Sequence, residues 1–297
     1  MDKNDVILCQ LLLQNSRLSY RELAEKLGLS VTAVHNRIQT MVDMGIIRRF
    51  NASLSILFQG AIHVLIFGSS KSTSITAMKP ALEKQGSIYW LAVAGGNVLY
   101  IGANLRHIAE LDQLVQFVKK TAEMPELTVG ITTSPIPLGM KAMDIGTKLC
   151  DLDYRIVRSL KEDSRKATSD IAKEVGVSAK TVSRRLTYMT KNFLIQLSID
   201  WYPDASNDIM SIFHVNLKDD ANPYVANSIL QKHYPNTMFY WGFSNLPNSY
   251  VFMVWTPTSK ELREIRESFE GEPSVQSVAP NIIYTGYIFP TWRDQIP

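Results

Sequence analysis

Apolar residues Leu8, Leu11 and Leu12 recur at the spacing of one helix face, with polar positions between them. A second helix is expected from about Tyr20 to Leu27. Ser19 and Glu22 have the form of a capping box at its start, and Gly28 can take the positive φ that ends it. Ser30 stands where it can cap a third helix, on which Val34, Ile38 and Met41 form one apolar stripe; Gly45 closes it. Ile46-Ile47-Arg48-Arg49-Phe50 then reads as a short wing strand. Beyond it the pattern predicts a strand at Ala61–Phe67, a helix at Thr73–Gln85 and strands near Ile88–Ala94 and Val98–Ala103. A helix at Arg106–Ala122 and a strand at Leu127–Thr132 complete this stretch.

The pattern returns 148 positions later. Residues 16–30 read SRLSYRELAEKLGLS and residues 164–178 read SRKATSDIAKEVGVS. One offset pairs Asp5 with Asp153, Leu12 with Leu160, Arg17 with Arg165, Gly28 with Gly176, Ser30 with Ser178, Arg37 with Arg185 and Met41 with Met189. Twice that offset nearly exhausts the 297 residues, so a tandem duplication of the whole chain is expected. The second copy supplies Ile156 and Leu160, then Ala167–Val175, Gly176 and Ser178, then the stripe Val182, Leu186 and Met189. After them come Ser211–Leu217, Pro223–Lys232, Met238–Phe243, Tyr250–Trp255, Ser259–Phe269 and Ser274–Tyr284. Each copy thus ends in the order βαββαβ, the ferredoxin-like arrangement, whose sheet has one bare face. Two such sheets can cover each other. The expected fold class is α+β, two winged helix-turn-helix modules each followed by a ferredoxin-like βαββαβ domain. The segments are 1–55, 56–140, 141–203 and 204–297, with residues 133–148, containing Pro135, Pro137 and Gly139, as the connection between the copies.

Helix, Gly, one residue, Ser, helix is the helix-turn-helix pattern, and its second helix is the one that enters a major groove. With Val34, Ile38 and Met41 facing inward, Thr32, Ala33, His35, Asn36, Arg37, Gln39 and Thr40 face outward. Thr32, His35 and Asn36 lie near the helix N-terminus, where side chains reach base edges, and Asn can pair bidentately with adenine. Arg37 suits a phosphate. The matching surface of the second copy is Lys180, Thr181, Ser183, Arg184, Arg185 and Thr187. The wings differ, Arg48-Arg49 against Gln196-Leu197. A solvated helix face is the simpler account of any one of these residues alone, and Arg17 and Arg165 suit structural ion pairs as well as DNA.

Charge adds a little. The net charge of +3 is small, but residues 1–50 hold seven Lys/Arg against five Asp/Glu, and residues 144–200 hold eleven against eight. The positive excess therefore sits on the two helix-turn-helix segments. No apolar run reaches membrane-spanning length, and no signal peptide or membrane partner is expected. Cys9 and Cys150 make no disulfide framework, which points to the cytoplasm, on the nucleoid if DNA is bound. Phosphate loops, nucleophile elbows and metal-ligand spacings are missing from the sequence, so no catalytic residue, metal or cofactor is expected. The aromatics Tyr89-Trp90, Phe239-Tyr240-Trp241 and Trp255 fall in predicted strands, where core packing is the default.

The segment NSRLSYRELAEKLGLSVTAVHNRIQTMVDMGIIRRF resembles the N-terminal domain of the Lrp/AsnC, or feast/famine, regulators of bacteria and archaea. The layout is similar too, since that family follows its helix-turn-helix with a ferredoxin-like effector and oligomerisation domain. The resemblance implies binding to double-stranded DNA, assembly of whole chains into a homodimer, and response to an amino acid or related small molecule. One chain would correspond to one family dimer. Gly95, Gly96 and Asn97 occupy the place of the family's effector-binding turn, although a plain hairpin turn explains them more simply. Phe243–Asn248 lacks the glycine pair in the second copy.

Two other readings stand beside this one. Paired siroheme decarboxylase subunits share the domain order, so fused halves could form such an enzyme; His214 and His63 are then the obvious candidates. The third is an interaction module that does not bind DNA.

Overall fold

The computed structural model describes residues 1–72, 74–133, 148–222 and 224–296. The chain begins with α1 (Lys3–Gln14), α2 (Tyr20–Leu27), α3 (Val31–Asp43), β1 (Ile47–Leu54) and the short α4 (Ile56–Gln59). Next come β2 (Ile62–Ser69), α5 (Ile75–Lys84), β3 (Ile88–Ala94), β4 (Val98–Leu105), α6 (Leu111–Thr121) and β5 (Thr128–Thr133). Among the described residues the same order, with no α-helical counterpart of α4, then recurs: α7 (Asp151–Leu160), α8 (Thr168–Val175), α9 (Ala179–Lys191) and β6 (Ile195–Trp201). It ends with β7 (Ile209–Leu217), α10 (Val225–Lys232), β8 (Thr237–Phe243), β9 (Ser249–Thr256), α11 (Ser259–Glu270) and β10 (Val275–Ile288).

Differences from the predicted elements lie at their ends. The wing strand runs to Leu54 because it has a partner, β6, along its length. The helix predicted over Arg106–Ala122 starts as a 3-10 turn at Ile108–Glu110 and becomes α-helical at Leu111. The four-residue α4, capped by Ser55 and closed by Gly60, was not expected. The connection with Pro135, Pro137 and Gly139, and the predicted helix starts at Thr73 and Pro223, lie outside the described residues.

The chain forms two compact units. One comprises, of the described residues, 1–6, 62–133 and 203–290; the other comprises 7–61, 148–202 and 291–296.

In the first unit eight strands close into a barrel in the order β10-β3-β4-β2-β5-β8-β9-β7. Each βαββαβ half has two free edges, and both join to the other half, β5 to β8 and β3 to β10, so no edge is left open. Alternation then sorts the side chains. Val64, Ile66, Leu99 and Ile101 pack outward under Met78, Leu82, Leu114 and Val118 of the helices. In the other half Phe213, Val215, Phe252 and Val254 meet Ala226, Ile229 and Phe269. The opposite faces carry His63, Phe67, Tyr100, His214 and Phe243, several of which make ring contacts with one another.

The second unit holds the two helix-turn-helix modules and the antiparallel pair β1–β6. Ala52 and Leu54 of β1 pack with Ile156, Leu160, Ile171, Val182, Leu186 and Met189, so the first module's strand completes the second module's core.

Candidate nucleic-acid interface

The two candidate recognition helices are built alike. Ser30 and Ser178 accept from the backbone N–H groups of Ala33 and Thr181, and Gly28 and Gly176 end the preceding helices at φ +65° and +71°. Val34, Ile38 and Met41, and likewise Val182, Leu186 and Met189, are buried. That fixes which faces remain outside. Thr32, His35, Asn36 and Gln39 of α3 are exposed, as are Lys180, Ser183, Arg184 and Thr187 of α9; Ala33, Arg37, Thr181 and Arg185 are half-buried. His35 meets Tyr20 edge-on at 5.1 Å, and Gln39 donates to Asp43 at 2.8 Å. Thr181 Oγ1 lies 2.9 Å from Ser178 Oγ, within the cap itself.

Two arginines expected at the DNA surface are engaged elsewhere. Arg185 Nε donates to Asp153 Oδ1 at 2.6 Å and its Nη2 to Asp153 Oδ2; the carboxylate is fully buried. Burial alone would raise the Asp153 pKa, but Arg185 and the Cys150 backbone N–H outweigh it and hold the carboxyl below its usual range. Arg49 of the wing donates to Asp200 at 2.7 Å and to Glu162 at 2.8 Å. Burial opposes its charge, yet the two carboxylates prevail and raise its pKa. Arg48 is exposed, with its guanidinium 3.6 Å from the centre of the Tyr202 ring.

Among the described residues the closest contacts of Arg17 and Arg165 are to backbone carbonyls across the module boundary rather than to carboxylates. Arg17 Nη1 donates to the carbonyls of Ser164 and Lys166 at 2.6 and 2.8 Å, and Arg165 Nη1 donates to that of Ser16 at 2.8 Å. Lys191 was not singled out in the sequence, although it is exposed on the same helix as Lys180 and Arg184. Following the i, i+4, i+11 spacing would have found it.

In the barrel, Gly95–Asn97 form a tight 3-10 turn with Gly96 at φ +68° and Asn97 at φ +56°. Asn97 C=O accepts from Ser70 N–H at 2.9 Å. A Cβ on Gly95 would lie 3.3 Å from the Tyr284 hydroxyl, so that glycine also makes room for a ring. His63 contacts Thr132 Oγ1 at 2.8 Å and Tyr89 OH at 2.9 Å. Asn281 donates to Tyr100 OH at 2.8 Å, which leaves the phenol proton for His214 Nε2 at 2.7 Å. Burial lowers the His214 pKa to about 4 and raises that of Tyr100. Both cysteines are free, and among the described residues no group of three His, Cys, Asp or Glu side chains is arranged to hold a metal ion. Among the described residues no helix is long and apolar enough to cross a membrane.

Residues 1–48 match the winged helix-turn-helix DNA-binding family, and residues 150–189 match the AsnC-type helix-turn-helix domain. An uncharacterized HTH-type transcriptional regulator of Pyrococcus abyssi is 37% identical over 125 residues, covering 40% of this chain and 81% of that protein. Another, from Pyrococcus furiosus, is 44% identical over 55 residues, 18% of this chain; there the chain spans only 37% of the relative's length. The chain belongs to the Lrp/AsnC family of helix-turn-helix transcriptional regulators. Among solved structures, the siroheme decarboxylase NirDL is similar over 98% of this chain and 94% of its own, with a TM-score of 0.61 at 13% identity. That likeness is one of fold.

Proposed function

We propose that the protein is a sequence-specific, DNA-binding transcription regulator in which one chain plays the part of a family dimer, with two non-identical recognition helices. The observation that carries this is the pair of N-capped helices α3 and α9, each buried on its apolar stripe and exposed on a polar face, within one compact unit. Thr32, Ala33, His35, Asn36, Gln39 and Arg48 form the contact set of the first module, with Arg37 as a phosphate contact. Lys180, Thr181, Ser183, Arg184 and Thr187 form that of the second. Arg49 and Arg185 hold the unit together rather than touch DNA, because their donors are committed to carboxylates.

The chain arose by tandem duplication, with segments 1–55, 56–140, 141–203 and 204–297 as its ancestral parts. It acts in the cytoplasm, on the nucleoid, as a homodimer of whole chains presenting four modules. A small effector such as an amino acid binds at the turn of Gly95, Gly96 and Asn97. Because position 36 is Asn where position 184 is Arg, and position 32 is Thr where 180 is Lys, the two modules favour different half-sites. Selection from random duplexes with the purified chain tests this. An asymmetric site, retained less well as salt rises, is expected. A strict palindrome read equally by both modules of one chain would overturn the asymmetry, and no retention at any salt would overturn the regulator.

The likeness of fold to NirDL keeps an enzyme reading in play. Against it, His63 and His214 are each engaged with neighbouring hydroxyls in the barrel. Incubation with siroheme discriminates: an absorbance shift with loss of carboxyl groups supports the enzyme, and an unchanged spectrum supports the regulator.

A further inference from the structure

Resting on the DNA-binding reading above, we infer that the two recognition helices contribute differently to binding. Helix α9 supplies most of the salt-dependent affinity through phosphates, while α3 supplies most of the sequence preference through bases.

The geometry of α9 is specific. Lys180, Arg184, Thr187 and Lys191 fall at i, i+4, i+7 and i+11, within about 60° of arc at 3.6 residues per turn. Val182, Leu186 and Met189, on the opposite side, are buried, so the four side chains form the outermost line of the helix, and all four are exposed. Among the described residues none of the three cations is tied to a carboxylate, unlike Arg185 on the same helix. The line runs roughly 16 Å at 1.5 Å per residue. A duplex carries one negative charge per roughly 1.7 Å of axis, so a row of that length can engage several phosphates.

The counterpart line on α3, 148 positions earlier, is Thr32, Asn36, Gln39 and Asp43. It carries one negative charge where α9 carries three positive ones, and Gln39 is turned onto Asp43 at 2.8 Å. Phosphates repel that end of the helix. What α3 offers is the set of exposed donors and acceptors near its start, Thr32, His35 and Asn36, which suit base edges. The buried stripes are apolar in both helices, so the contrast in charge lies on the outward lines.

The test measures dissociation constants of the full-length protein against NaCl concentration on two duplexes: the site it selects from a random pool, and a scrambled duplex of equal composition. K180Q/R184Q/K191Q is expected to flatten the log–log salt slope by about 2.7, at roughly 0.9 per phosphate contact, while the ratio of the two affinities holds within twofold. T32A/H35A/N36A is expected to keep the slope and reduce that ratio at least tenfold. All six positions are solvent-facing or lie at the surface, and each variant serves as the folding control for the other. If both variants flatten the slope equally, or if the first collapses the ratio and the second does not, the division of labour is overturned and the DNA-binding reading stands. If the unaltered protein shows no salt-sensitive binding to either duplex, both are overturned.

Discussion

Ser16 and Ser164, both fully buried and 148 positions apart, share a hydrogen bond between their hydroxyls at 2.6 Å. Residues matched by the 148-residue offset that touch each other have the form of an isologous contact, in which the same surface meets itself. The neighbouring contacts obey the same symmetry. Arg17 reaches the carbonyl of Ser164, and Arg165 that of Ser16. In the β1–β6 ladder Phe50 faces Ile199 and Asn51 faces Ser198, and the 148-residue offset exchanges these two pairs. The contacts between the two modules are thus exchanged, pair for pair, by the 148-residue offset.

The reciprocal arginines give the first prediction. Arg17→Ala and Arg165→Ala each remove charged donors from carbonyls in a half-buried turn, at about 1.5–3 kcal/mol per charged hydrogen bond. Burial, and next the Arg165 charge, push the Arg17 pKa down, so the two guanidiniums repel each other. Each single variant already relieves that repulsion, so the double variant should lose more stability in urea than the sum of the singles. Strict additivity would remove that coupling.

Arg185→Gln is expected to destabilise the helix-turn-helix unit by about 3 kcal/mol, because it strands the buried Asp153 carboxylate. The carboxyl's folded pKa lies below its unfolded one, so the pair stabilises above the ordinary carboxylate range and fails only as pH falls through the lower folded value. D153N/R185Q should recover part of the loss, since no buried charge then remains. Among variants still folded, DNA affinity should change little. Urea midpoints and a filter-binding assay check both halves; normal stability with lost binding would return Arg185 to the DNA contacts.

Local pattern carried much of this organisation. The caps at Ser19 and Ser30 and the stripes Val34-Ile38-Met41 and Val182-Leu186-Met189 were legible because helix boundaries and faces are set by residues a turn apart. Pairing at a distance was not. Nothing near Arg185 in sequence announces Asp153, 32 positions away, and nothing near Arg49 announces Asp200, 151 positions away. Their partners come together only when the helices pack and β1 lies on β6. The expectation that two ferredoxin-like sheets would cover each other anticipated their association, but not the closed strand order, which depends on which edges meet.

Glycines inside the barrel strands show the same limit and give a third prediction. A Cβ built on Gly130 of β5 would overlap the Phe243 ring, and one on Gly102 of β4 would lie 2.6 Å from the Tyr89 ring. Each ring covers the strand where a side chain would otherwise stand. Gly130→Val should cost about 1–3 kcal/mol through overpacking, with Phe243 displaced. In an F243A background the same substitution should be less damaging, because the ring that clashes is gone. Thermal melts of the four proteins test this, and equal cost of G130V in both backgrounds would refute the clash.

The last prediction concerns acid. His214 is enclosed with Phe67 and Tyr100, ring centres 4.8 and 5.6 Å away, and accepts the Tyr100 proton on Nε2. Burial lowers its folded pKa to about 4, against about 6.5 for a free imidazole. Above pH 6.5 the ring is neutral in both folded and unfolded chains, and its neutral contacts stabilise the barrel in full. As pH falls from about 6.5 toward 4, the unfolded chain takes up a proton that the folded barrel refuses, and stability declines by up to about 3 kcal/mol. H214Q keeps an acceptor for Tyr100 but cannot titrate. Its stability should start below that of the unaltered protein at pH 7.5, and the gap should close by about 3 kcal/mol at pH 4. Comparing the two proteins cancels the carboxylates and the other histidines they share. Parallel urea-midpoint curves across that range would show that His214 is protonated as readily in the folded barrel as in water.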